Sequence, residues 1–298
     1  MKITLTGSLG HIGKPLTEEL VQKGHAVTVI SHNPEKKSAI GALGATPAIG
    51  SVEDVDFLTT AFAGADAVYT MLPPGNYFDQ DYDIYAKCDR LANNFAQAIR
   101  QSGVKRLVHL SSIGAHLEKG SGLILLHRHL EITLGKLADV AITFMRPTAF
   151  YYNLYGYVPM IKKAGFIAAN YGADDKMVWV SPKDIATAIA EEIVTPLTGR
   201  KIRYVASDEL TCNEVAHILG AAIGKPDLQW MIIPGEQMQS GMIAAGMNPD
   251  IVAGLVEMYA CVHSGELGAD YFRNRPAVLG KIKMTDFARE FAVAYNQK

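Results

Sequence analysis

Cysteine is scarce in this chain, and the three present, Cys88, Cys212 and Cys261, lie far apart with no C-x-x-C pair among its 298 residues. That spacing excludes a disulfide framework and a thiolate zinc site, so reduced core thiols and no metal are expected. A surplus of one charge sign is lacking too. The formal net charge is −2 and no run of Lys or Arg exceeds two residues, which leaves the counterion release that drives nucleic-acid binding without a source. No uninterrupted apolar stretch approaches the roughly 18 residues of a membrane span, and the first residues enter a β-branched run without the basic region and apolar core of a leader. A soluble, cytoplasmic protein with small-molecule partners is the expectation, with no membrane or nucleic-acid partner. At 49% hydrophobic and 19% charged residues, the chain has material for one large domain or a domain with a smaller appendage.

The start of the chain carries the strongest signal. Lys2-Ile-Thr-Leu-Thr6 is followed at once by Gly7-Ser-Leu-Gly10-His-Ile-Gly13 and an amphipathic run from Lys14. This reads as buried strand, glycine turn and helix start. Glycines at such a junction supply a tight turn, close backbone approach to a pyrophosphate and close helix-to-strand packing. The helix start adds unpaired N–H groups and the positive end of its dipole. Gly7, Ser8, Gly10, His11, Ile12 and Gly13 are therefore expected to hold the pyrophosphate of a dinucleotide.

From residue 1 to about 147, short apolar runs (Ile3–Leu5, Ala26–Ile30, Thr46–Ile49, Ala67–Met71, Arg106–Leu110 and Ala141–Met145) alternate with helical stretches near 11–23, 34–43, 54–63, 81–102 and 121–136. That alternation predicts an α/β fold, a doubly wound parallel (Rossmann) sheet. Beyond Arg146-Pro147 the rhythm changes. Residues 150–163 read as an aromatic helix and 177–181 as extended. Ser181-Pro182-Lys183-Asp184 is a capped helix start, and Thr211-Cys-Asn-Glu214 a capping box. The segments 234–263 and 284–296 read as mostly helical. The expected organisation is a dinucleotide-binding domain over 1–150, with 182–206 returning to it, and a smaller, mostly helical substrate or lid region from 151–181 and 207–298.

Thr6-Gly7-x-x-Gly10-x-x-Gly13, Ser31-His-Asn-Pro-Glu-Lys-Lys37, Phe62-Ala-Gly-Ala-Asp-Ala-Val-Tyr69 and Arg146-Pro-Thr-Ala-Phe-Tyr-Tyr-Asn153 together resemble the short-chain dehydrogenase/reductase superfamily, and within it the atypical NmrA-like branch. The resemblance implies a nicotinamide cofactor and either a reductase of quinones or dyes or a redox sensor without turnover. It also implies where the typical catalytic residues would fall. A serine after the fifth strand is matched by Ser111 or Ser112. The Tyr-x-x-x-Lys pair on the next helix is not matched: the tyrosine position falls near Leu123 and the lysine position near His127. A leucine can neither give nor take a proton, so the superfamily's standard alcohol-dehydrogenase mechanism is not expected unless Tyr77, Tyr82 or Tyr151 reaches in.

The second strand's end chooses between the two nicotinamide nucleotides. An Asp or Glu there would bond the ribose 2′-hydroxyl of NAD(H), yet residues 26–34 contain no acid. Ser31, His32 and Asn33 offer donors instead, with Lys36 one helical turn away, so NADP(H) is expected over NAD(H). The branch usually places arginine where His32 stands, and a neutral histidine supplies one donor and no fixed charge. Leu72 and Pro73, after the fourth strand, and Ser111 are expected beside the nicotinamide, with Pro74, Tyr77, Phe150, Tyr151 and Asn153 forming the acceptor pocket. Part of the aromatic set fits a helical core stripe as well as a pocket.

His127 and Glu131 are four apart and share a helix face, so a histidine beside a carboxylate could act as proton donor, with Ser112 the other candidate. A surface ion pair or a core histidine would read the same way. The sequence thus supports an NADPH-dependent oxidoreductase lacking the Tyr-x-x-x-Lys pair, passing hydride to a small planar acceptor such as a quinone. A non-catalytic NADP(H)-sensing regulator that binds a protein partner stands beside it.

Overall fold

The computed structural model describes residues 1–297 and is organised around a seven-stranded, wholly parallel sheet. Strands β1 (Lys2–Leu5), β2 (Ala26–Ser31), β3 (Thr46–Ile49), β4 (Ala67–Met71), β5 (Arg106–Leu110) and β6 (Ala141–Pro147) alternate with helices α1 (Gly13–Gln22), α2 (Lys36–Ala42), α3 (Val55–Phe62), α4 (Ile84–Ser102) and α5 (Leu125–Leu134). The second half holds β7 (Ala149–Phe150), α6 (Val158–Ala164), β8 (Ile167–Ala169), β9 (Lys176–Val180), α7 (Pro182–Val194), β10 (Arg200–Val205), β11 (Asp208–Thr211), α8 (Cys212–Ala222) and β12 (Trp230–Ile232). Helices α9 (Gly235–Ala244), α10 (Pro249–His263), α11 (Ala269–Arg273) and α12 (Met284–Asn296) complete it.

The sheet runs β3-β2-β1-β4-β5-β6-β10. Strand order reverses between β1 and β4, and in open α/β sheets the crevice beyond the carboxyl ends of the strands at that reversal receives the ligand. Because the sheet is covered on both faces, its strands are apolar on both. Leu16, Leu20, Val29, Tyr69 and Ile189 pack on the α1/α7 side, and Leu58, Leu91, Phe95, Leu107 and Leu130 on the α3/α4/α5 side. Each such side chain stabilises the fold by about 1.5–3 kcal/mol on burial. Capping sets several helix starts: the Asp54 carboxylate accepts from Asp56 N and Phe57 N, and that of Asp83 from Ala86 N. Ser181 caps α7, and the Thr211–Glu214 capping box opens α8.

The second region has a core of its own, around Trp179, Leu219, Trp230, Phe287 and Phe291. It is less purely helical than its sequence suggests, since β7, β9 and β11 form a small sheet and β8 pairs with β12. The aromatic run 150–163 also departs from a single helix: residues 151–157 form 3₁₀ turns before α6 begins. Three residues per turn instead of 3.6 changes which aromatic rings face inward. No helix among the described residues is long and apolar enough to cross a membrane.

Candidate active site

The glycine turn sits at the carboxyl end of β1, beside the strand-order reversal. Gly7 has φ +90°, and a Cβ there would lie 2.6 Å from the Met71 sulfur at the end of β4. A Cβ on Gly13 would run into the Ser8 carbonyl. Gly10 differs, because a Cβ there meets only the Gly7 carbonyl oxygen, at an ordinary 3.4 Å. Helix α1 has no side-chain cap. The backbone N–H groups of His11, Ile12 and Gly13 have no partner among the described residues, whereas Ser8 N bonds Ile30 O and Gly10 N bonds Gly7 O. Uncapped N–H groups at a helix start, with no side chain in the way, form a cradle for a diphosphate. The residues present fit the diphosphate of a nicotinamide dinucleotide.

At the end of β2 the expected phosphate donors are partly engaged within the turn. Ser31 is buried; its hydroxyl accepts from Ser8 Oγ at 3.0 Å and from Asn33 N at 3.2 Å. The Asn33 side chain closes the turn onto Glu35 N at 2.9 Å, and its amide nitrogen lies 3.4 Å from the Glu35 carboxylate. His32 and Lys36 are exposed with no hydrogen-bonded partner, leaving them as the free donors at this end.

At the other end, Ser111 donates to Glu131 at 2.6 Å. Glu131 in turn grips Arg146 at 2.7 and 2.9 Å. The pairing of His127 with Glu131 that their shared face suggested does not form, because Arg146 takes the carboxylate. Bonds to Glu131 and Tyr204 outweigh burial and raise the pKa of the Arg146 guanidinium. His127 Nδ1 is buried without a partner, and burial holds this imidazole at a pKa of about 4. It is neutral at pH 7 and carries no imidazolium proton to give. His109 on β5 is neutral for the same reason, with a pKa of about 3, its Nδ1 bonded to Thr70 Oγ1 at 2.8 Å. His116 stands apart, close enough to Asp270 and Arg146 to feel both charges. Ser112 is half-buried and its hydroxyl makes no bond within the protein.

Leu123, near which the resemblance would put the superfamily's tyrosine, is buried against α10 so closely that a Cβ on Gly254 would come within 2.6 Å of its side chain.

Two segments wall the crevice. The loop after β4 runs through half-buried Leu72, Pro73 and Tyr77, with Pro74 exposed. It is clasped by the α9–α10 turn: Asn248 N bonds Tyr77 O at 2.8 Å, and Asn248 Nδ2 bonds the carbonyls of Asp79 and Gln80, each at 3.1 Å. Tyr82 is turned away, its ring against Gly75. On the other wall Phe150 is half-buried and Asn153 exposed. Tyr151 is drawn into the second core, stacked on Phe287 and donating to Asp208 at 2.8 Å, with only part of it along the cleft. Its neighbour Tyr152 lies on His11 of the glycine turn, ring centroids 4.6 Å apart and planes 22° apart. The pair lines a cleft of about 190 Å³ reaching to Ser181 and Phe287.

Residues 7–150 match the family model described as NAD(P)H-binding. A (4-alkanoyl-5-oxo-2,5-dihydrofuran-3-yl)methyl phosphate reductase of Streptomyces griseus is 26% identical, over 75% of this chain and 74% of its own length. Among solved structures, the triphenylmethane reductase of Citrobacter sp., complexed with NADP(H), superposes with a TM-score of 0.78 at 21% identity, covering 97% of this chain and 100% of its own. An NADPH-dependent quinone oxidoreductase of Escherichia coli gives 0.75 at 20% identity, covering 97% and 99%. Residues 7–150 thus resemble an NAD(P)H-binding family, and the chain as a whole shares its fold with the triphenylmethane reductase and the quinone oxidoreductase.

Proposed function

We propose that this protein is an NADPH-dependent oxidoreductase that transfers hydride to a small, flat, electron-poor acceptor such as a quinone. The observation that carries this reading is a contrast within one crevice: the phosphate cradle is open and uncapped, while Leu123, near which the resemblance puts the usual tyrosine, is packed on α10. An acceptor that needs little acid catalysis suits such a site. Hydride addition to a quinone yields a ring-stabilised oxyanion related to a phenolate, whose conjugate acid has a pKa near 10, whereas a simple ketone yields a far more basic alkoxide. The Citrobacter and Escherichia coli proteins, reductases of triphenylmethane dyes and of quinones, point in the same direction.

When bound, NADPH supplies the hydride. Gly7 to Gly13 would hold its pyrophosphate, His32 and Lys36 the 2′-phosphate, and Leu72, Pro73 and Ser111 the nicotinamide end. The absence of an acid over 26–34 favours NADPH over NADH. Tyr77, Pro74 and Phe150 would flank the acceptor, and orienting two reactants in this way supplies about 7–11 kcal/mol of barrier reduction in favourable models. Ser112, with its free hydroxyl, or solvent would deliver the proton; neutral His127 contributes at most a hydrogen bond. The NADP(H)-sensing regulator remains the second reading, favoured by the same leucine. Following NADPH absorbance with a panel of quinones, azo dyes and aldehydes separates them: consumption supports the oxidoreductase, and binding without consumption by any acceptor supports the sensor.

A further inference from the structure

Tyr152 bridges the phosphate turn and the acceptor wall. Its ring lies on His11 at 4.6 Å and tilts against Phe150 at 5.3 Å, so its orientation is fixed from both sides. Beneath it, Tyr69 on β4 is wholly buried and its hydroxyl has no hydrogen-bond partner. A buried phenol left unpaired is destabilising and uncommon away from functional sites. The phenols also sense one another: burial and then Tyr152 raise the pKa of Tyr69, and burial and then Tyr77 raise that of Tyr152. Tyr152 lines the cleft beside the glycine turn together with His11. The Tyr151 hydroxyl is committed to Asp208 and to the Ile282 carbonyl.

We propose that the Tyr152 hydroxyl is the hydrogen-bond donor to the acceptor's oxygen, taking over from the opposite wall the positioning task that Leu123 cannot perform. The proposal rests on the hydride-transfer reading. In that step a carbon–hydrogen bond of NADPH breaks, and its electron pair forms a bond to the acceptor. The displaced π pair moves to the oxygen, and Tyr152 bonds to the oxyanion so formed. Reduced acceptor and NADP⁺ are the products, and the final proton comes from solvent through Ser112 or Tyr152 itself, with the phenol regenerated from water.

The test uses 4-nitrophenolate as a stable oxyanion probe and 1,4-naphthoquinone as acceptor. The NADP⁺-loaded protein is expected to bind 4-nitrophenolate. Tyr152→Phe keeps the stack on His11, so NADPH affinity should stay within twofold, while the probe binds about tenfold more weakly, the worth of one hydrogen bond to a charged group. Tyr152→Leu removes the stack as well and should weaken both nucleotide and probe. Equal probe affinity in Tyr152→Phe and the unaltered protein, or no probe binding at all, would overturn the proposal. Failure of the unaltered protein to reduce the quinone counts against the hydride-transfer reading alone, and the probe titration still decides the role of Tyr152.

Discussion

Glu131 on α5 holds Arg146 on β6 through two bonds, Oε1 to Nε at 2.9 Å and Oε2 to Nη2 at 2.7 Å, with Ser111 donating a third to the same carboxylate at 2.6 Å. Both partners are nearly inaccessible, and Arg146 reaches on to Tyr204 and Asp270. Removing one member of a buried pair leaves an uncompensated charge, which costs about 3–5 kcal/mol. Glu131→Ala is expected at the low end, near 3 kcal/mol by urea denaturation, because Asp270 still faces Arg146. A loss below about 1 kcal/mol would show that the pair is not structural.

The glycine turn predicts two different failures from two substitutions. Gly10→Val meets no obstruction within the protein but projects into the phosphate cradle, so the melting temperature should hold while calorimetric titration shows no nucleotide binding. Gly13→Ala collides with the Ser8 carbonyl and should lower the melting temperature itself. Nucleotide binding at full strength by Gly10→Val would place the phosphates elsewhere.

Histidine burial sets a pH window. His127 and His109 have folded pKa values of about 4 and about 3, below the unfolded value near 6.5. Between those limits the unfolded chain takes up protons that the folded chain refuses, so stability is full above about pH 6.5 and falls as pH drops toward 4. The urea midpoint of His127→Gln should fall less steeply than that of the unaltered protein over this window. In the kinetics, the quinone rate should show no ionisation near pH 6.5 belonging to His127, and His127→Ala should reduce turnover only modestly. A rate that vanishes in His127→Ala, with fold and cofactor affinity intact, would make this histidine the acid.

Asn248 is buried, caps α10 through Asp250 N at 2.9 Å and straps the loop after β4 by three further bonds. Asn248→Ala should free that loop, raising the KM for the acceptor several-fold and speeding proteolysis between residues 73 and 83. Nucleotide affinity should change less than the acceptor KM, since none of the strap's hydrogen bonds involves the Gly7–Gly13 turn. Unchanged KM and proteolysis would mean the loop is held by its own packing.

The parts of this molecule that local chemistry dictates were legible in its sequence. Short apolar runs alternating with helical stretches marked the strands of the sheet, and Gly7 to Gly13 marked the turn, because residue preference and a glycine's backbone freedom are local properties. What tertiary packing decides was not legible. The spacing of His127 and Glu131 allowed a pair, but Arg146, distant in sequence, takes the carboxylate. The aromatic run after β6 did not show which rings would pack in the core, and 3₁₀ turns put Tyr152 beside His11. Leu123 was visible in the sequence, whereas Gly254 of α10, packed against it, lies more than a hundred residues away. The strap at Asn248 left no local signal beyond its own helix cap.

The central claim is that this NAD(P)H-binding fold turns over a planar acceptor with NADPH. Its most direct test is the loss of NADPH absorbance on adding 1,4-naphthoquinone to the unaltered protein, with NADH run in parallel. The account predicts enzyme-dependent oxidation of NADPH, faster than that of NADH at equal concentration and abolished in Gly10→Val. No oxidation of either nucleotide by a protein that binds both, or a clear preference for NADH, would contradict it.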